Sequence, residues 1–165
     1  MDDLARALLA GKRQHPFEAA EVDVPGIYAW WATSTLPWPG DFPYVDHTLP
    51  LYVGIAESET LSERIVGCHL SRTRGSALRR SLSALLLDDL NLGPHIVPGT
   101  AKRRSKFGMT SDGEALLTEW MLANLEVSWV AVDNPGPLER TVVGTLLPPL
   151  NDALATGSPF RALHN

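Results

Sequence analysis

Hydrophobic positions along this chain change their period several times, and each change marks an element. Residues 26–31 (Gly-Ile-Tyr-Ala-Trp-Trp) and 51–55 (Leu-Tyr-Val-Gly-Ile) are short, continuous apolar runs. Runs of that length, rich in aromatic and β-branched side chains, predict strands. Leu78, Leu82, Leu85, Leu86 and Leu90 then recur at helical spacing, with Ser76 placed as a cap and Gly93-Pro94 as a stop. Residues 60–70 read as a helix on Leu61, Ile65 and Leu70. Ser111-Asp112-Gly113-Glu114 has the form of a capping box opening another helix to about Asn124. Residues 125–132 predict a third strand. A last helix follows on Leu138, Val142 and Leu146, with Asp133 or Asn134 as cap, Pro137 in its first turn and Pro148-Pro149 as its end. Near the N-terminus, Leu4, Ala7, Leu8 and Leu9 around Arg6 predict a short amphipathic helix.

The resulting order, β-β-α-α-loop-α-β-α, predicts a single α/β (α+β) domain over residues 1–165. Its expected architecture is a small three-stranded, mainly antiparallel sheet flanked by helices, with the first two strands antiparallel. Between those strands runs a long connection holding Pro37, Pro39, Pro43 and Pro50 with Trp38, Phe42 and Tyr44. Such aromatics either cover the domain's own core or touch a substrate. Residues 93–110 are expected to form a loop carrying Lys102-Arg103-Arg104-Ser105-Lys106.

Composition narrows the class. A chain of 165 residues with 44% hydrophobic content buries a real core. Cys68 is the single cysteine, so no internal disulfide forms, which fits a reducing compartment. Met1-Asp2-Asp3 has the wrong charge for a signal peptide, and no apolar run is long enough to span a bilayer. The expectation is a cytoplasmic protein without a membrane partner. Net charge is −5, which argues against a generic nucleic-acid binder, but its distribution argues the other way. From Arg64 to Lys106 there are nine basic residues and two acids, Asp88 and Asp89. A local basic surface attracts a phosphate backbone, although the same residues also make an ordinary solvated face.

The candidate chemistry lies in an ordered set of short motifs: Gly26-Ile27-Tyr28 on the first strand, Tyr52-Val53-Gly54 on the second, Leu61 and Arg64 in the next helix, Glu139 in the last helix, then Pro148-Pro149-Leu150-Asn151. In this order they resemble the GIY-YIG nuclease family, over a core of residues 25–151. His69 is similar in place to the ring residue that follows the family's arginine. Two departures stand out: Ile55 occupies a position where members often carry a basic residue, and a basic loop and extra helix are inserted at about 93–124.

The resemblance implies a metal-dependent endonuclease acting on DNA, with a catalytic set of Tyr28, Tyr52, Arg64, His69 and Glu139. Glu139 is the implied ligand of one divalent ion, Mg²⁺ or Mn²⁺, because a hard cation takes oxygen ligands and keeps several waters. Arg64 offers a planar, permanently charged fork to the scissile phosphate. One of Tyr28 and Tyr52 positions or deprotonates the attacking water, and the sequence leaves open which. A phenol needs nearby cations to act as a base near neutrality. His69 contacts a phosphate oxygen, orients the water or is simply a hydrogen-bonded structural histidine. Asn151 orients Glu139 or a water beside it, or is a plain turn residue. Arg79 and Arg80, in the first turn of their helix, with Lys102, Arg103, Arg104 and Lys106, are the expected contacts to the DNA backbone. Two other readings compete: a catalytically inactive binding module on the same fold, and a small-molecule enzyme whose aromatic connection forms a lid. Homodimerisation or a partner subunit is not legible in the sequence.

Overall fold

The structure is a computed structural model and describes residues 2–38, 48–97 and 106–151. Helix α1 (Asp3–Ala10) opens the chain, capped by the Asp2 carboxylate. Strands β1 (Gly26–Ala32) and β2 (Tyr52–Ala56) follow, then a π-helix over Glu63–His69. Next come α2 (Ala77–Leu85), β3 (Pro94–Val97), β4 (Lys106–Met109), α3 (Ser111–Asn124), β5 (Leu125–Ala131) and α4 (Gly136–Leu146).

The main sheet has three antiparallel strands in the order β2-β1-β5. β1 is central and fully buried, which explains why its sequence is continuously apolar rather than alternating. Its side chains divide between two cores. Tyr28, Trp30 and Ala32 join Tyr52, Ile65, Leu78, Leu82 and Leu117 on one face, and Ile27, Ala29 and Trp31 join Leu8, Val142, Val143 and Leu146 on the other. The π-helix, α2 and α3 therefore cover one face of the sheet, and α1 with α4 the other. Trp38, from the Pro-rich connection, packs against the first core; Phe42 and Tyr44 lie outside the described residues.

Four local expectations are corrected. The segment expected as a loop at 93–110 contains a β-hairpin, with Pro94 paired to Met109 and Val97 to Lys106. Pro94 begins the first strand of a two-stranded sheet, where its missing N–H costs little. The helix from Ser76 ends at Leu85, short of Leu90. α3 is capped by Thr110, whose hydroxyl accepts from Gly113 N at 3.2 Å, one residue before the Ser111 expected. α4 starts without a side-chain cap from Asp133 or Asn134, and Leu138 is turned outward while Val142, Val143 and Leu146 form its buried stripe.

Candidate active site

The antiparallel register of β1 and β2 sets Tyr28 opposite Gly54 and Trp30 opposite Tyr52. Directly opposed residues share a face, so both tyrosines and Trp30 project from the same side of the sheet. Gly54 is required there, because a Cβ at this position would overlap the Tyr28 hydroxyl. Its absence lets the Tyr28 ring lie across the neighbouring strand.

The π-helix delivers Arg64 and His69 onto that face. In an α-helix, residues five apart point about 140° away from each other at 3.6 residues per turn. The wider π turn brings five-residue neighbours back into line, and such turns concentrate at functional sites. The ordinary helix expected over 60–70 would have separated these two side chains. Here Arg64 Nε donates to the Tyr28 hydroxyl at 3.4 Å, and Tyr28 and His69 Nε2 share a hydrogen bond of 2.6 Å. The His69 ring stands edge-on to Tyr28, Trp30 and Tyr52, with centroid separations of 5.4, 5.8 and 5.9 Å.

Behind His69, Nδ1 lies 2.6 Å from Ser76 Oγ, which also accepts from Arg79 N and so caps α2. Two tautomers satisfy these contacts: Tyr28 donating to Nε2 with Nδ1–H donating to Ser76 Oγ, or Nε2–H donating to Tyr28 with the Ser76 hydroxyl donating to Nδ1. Burial, then the Arg64 and Arg79 charges, hold the His69 imidazole well below its ordinary value. His69 is therefore a neutral ring, hydrogen-bonded to Tyr28 at Nε2 and to Ser76 at Nδ1. Burial raises the Tyr28 phenol well above its usual range, and Tyr52 adds to this while Arg64 opposes it. Tyr52 is also raised, mainly by burial, with Arg64 and Arg80 pulling it down and Glu139 pushing it up.

Glu139 lies in the first turn of α4, half-buried and within electrostatic reach of Tyr52 and Arg64. Its carboxyl is raised by burial, then by the neighbouring Glu57 charge, and lowered by Arg64. A carboxylate so placed is stabilised by a cation. Among the described residues no group of three or more His, Cys, Asp or Glu side chains converges. One or two carboxylates suit a hard ion that keeps its waters, not a closed zinc site. Arg64, meanwhile, pairs with Glu59 at 3.3 Å and donates to Cys68 Sγ at 3.5 Å. Burial would lower Arg64, but the Tyr28, Cys68 and Glu59 interactions outweigh it and keep the guanidinium charged.

Two expected residues have other work. Arg79 is fully buried, bonded to Glu114 at 2.6 Å, to Thr118 Oγ1 and to the His69 carbonyl. It is not available to DNA, because its aliphatic stem and guanidinium are enclosed between α2 and α3. Asn151 does not reach Glu139: its Oδ1 accepts from Val53 N at 2.8 Å and its Nδ2 donates to Val53 O at 2.7 Å. These groups face away from β1, so Asn151 closes the open edge of β2 beside Tyr52. Arg80 remains exposed, and the exposed Arg72 and Arg74 stand on the turn before it. Lys102, Arg103 and Arg104 lie outside the described residues, and Lys106 is described only as backbone of β4. Sequence reasoning missed Ser76 as a partner of His69, and missed Glu57 and Glu59. Only Ser76 carried a local signal, as a helix cap.

No helix among the described residues is long and apolar enough to cross a membrane. No curated protein and no solved structure matches the chain. The family model described as the GIY-YIG catalytic domain does match, over residues 26–157, from the first residue of β1 to beyond Asn151. That span takes in both tyrosine strands, the π-helix and the helix bearing Glu139, and the chain belongs to the GIY-YIG catalytic domain family.

Proposed function

We propose that this protein is a metal-dependent endonuclease that hydrolyses DNA phosphodiester bonds. The observation that carries the reading is the joining of Tyr28 to both Arg64 and a neutral His69, with Tyr52 and Glu139 in electrostatic reach of the same guanidinium. Family membership supports nuclease-type chemistry; DNA as substrate and the divalent ion belong to the proposal.

In this reading Arg64 releases Glu59 and takes the non-bridging oxygens of the scissile phosphate in its fork. Tyr28 is the general base. Its oxygen lies against the Arg64 guanidinium, which favours the phenolate that takes the proton of the attacking water, while His69 stays neutral and orients the phenol through their 2.6 Å hydrogen bond. Tyr52 borders the phosphate on the side nearer Glu139. Glu139 would hold the divalent ion, which when bound neutralises phosphoryl charge and stabilises the leaving oxygen. Arg80, with Arg72 and Arg74, follows the flanking backbone.

The test is cleavage of supercoiled plasmid with Mg²⁺ or Mn²⁺, beside Glu139→Ala and an EDTA control. Wild type is expected to nick or linearise the plasmid, while the variant binds DNA but leaves it intact. Undiminished cleavage by Glu139→Ala would remove Glu139 from the chemistry. Binding without cleavage of plasmid, branched and damaged DNA by wild type would instead establish an inactive binding module.

A further inference from the structure

Glu57 follows directly on β2, and its carboxylate is laid across Gly136 in the first turn of α4. The fit depends on glycine: a Cβ at position 136 would collide with the Glu57 carboxylate oxygens. Positions three apart on a helix are neighbours on one face, so this cradle opens beside Glu139. We propose that Glu57 is a second carboxylate ligand of the divalent ion held by Glu139.

This rests on the reading of Glu139 as a metal ligand and adds a residue to it. Two carboxylates bordering one cradle repel each other when no cation lies between them. A hard cation between them converts that repulsion into attraction and needs only one or two protein carboxylates with the substrate phosphate. A carboxylate at a helix N-terminus also interacts favourably with the helix dipole. That role alone would require neither a fixed reach nor a companion acid one turn along.

The experiment is a Mn²⁺ titration without DNA, followed by the electron paramagnetic resonance signal of free Mn²⁺. It compares wild type, Glu57→Gln, Glu57→Asp and Glu139→Gln, with thermal unfolding of each to confirm folding. The expected result is weakening of Mn²⁺ affinity by about tenfold or more in both Gln variants. Glu57→Asp keeps the charge but withdraws the oxygens by one methylene, so it should bind nearly as poorly as Glu57→Gln. If Glu57→Asp binds like wild type, Glu57 acts through charge alone and the ligand proposal falls. If Glu139→Gln loses affinity while Glu57→Gln keeps it, the proposal falls and the Glu139 reading stands. Equal affinity in wild type and Glu139→Gln overturns both.

Discussion

His69 shows how burial determines the chemistry of a single side chain. Its ring is enclosed by three aromatic residues and its nitrogens are occupied by Tyr28 and Ser76. The folded state therefore resists protonation, whereas the unfolded chain takes up a proton near the ordinary value of 6.5. As pH falls below that value the unfolded state binds more protons, so stability is complete above about 6.5 and declines with acidification, by up to about 1.4 kcal/mol per pH unit. Urea unfolding at about pH 7.5 and pH 5.5 should show this loss in wild type and a much smaller one in His69→Asn. Equal pH slopes would mean that the ring is protonated in the folded protein. Glu139 carries the opposite sign, since its raised carboxyl favours the folded state on acidification. The difference between wild type and His69→Asn isolates the histidine. The sequence identified Tyr28, Tyr52, Arg64, His69 and Glu139 through their order. It did not reveal what each touches, because a hydrogen bond across 41 residues, such as that between Tyr28 and His69, has no local signature.

At the scale of elements, the site is held by parts that do not belong to it. Arg79 of α2, fully buried, pairs with the mostly buried Glu114 of α3, and the Glu114 carboxylate also accepts from Thr73 N at 2.8 Å and from Thr73 Oγ1 at 2.9 Å. This knot fixes α2 and α3 around the turn that leads from the π-helix to Ser76. Removing Glu114 leaves a buried guanidinium without its anion, and removing Arg79 leaves a mostly buried carboxylate without its cation. Arg79→Met is expected to destabilise the fold by about 3–5 kcal/mol, and the double variant Arg79→Met/Glu114→Met by less. Denaturant midpoints measure both. A stable Arg79→Met variant with weakened DNA binding would return Arg79 to the DNA surface. The sequence misled here for a physical reason: an arginine in a helix's first turn fits a phosphate contact as well as an ion pair, and only the position of α3 decides. The Ser111–Glu114 capping pattern misled for a related reason, because Glu114 is drawn across to Thr73 and Arg79 while Thr110 takes the cap. The π-helix escaped the periodicity argument because Leu61 and Ile65, four apart, satisfy an α-helical face, and the five-residue step to Leu70 was the one local sign of the wider turn.

At the scale of the whole molecule, charge is divided by position more than by count. The basic window from Arg64 to Lys106 places Arg64 at the site and Arg79 inside, and leaves Arg72, Arg74 and Arg80 exposed, with Arg80 within electrostatic reach of Tyr52. For a protein that neutralises phosphates, log binding falls with log salt at about 0.9 per contact on duplex DNA. Arg80→Ala should therefore weaken binding across sequences and reduce that slope by about 0.9, as read by fluorescence anisotropy from low to moderate salt. An unchanged slope would place Arg80 off the DNA path.

Taken by itself, the sequence determined the three strands of the main sheet, most of the helices, the antiparallel pairing of the first two strands and the family. These follow from local periodicity and from a short ordered set of motifs, both of which are properties of the chain's own order. The tertiary structure alone decided that β1 lies between β2 and β5, that residues expected as a loop contain a hairpin, that Asn151 closes the β2 edge, and that Arg79 is internal. It also brought Glu57 over Gly136, 79 positions away in sequence and adjacent in space. Each of these depends on which surfaces meet once the two faces of the sheet are covered, and a hydrophobic pattern states that a face is buried without stating what buries it.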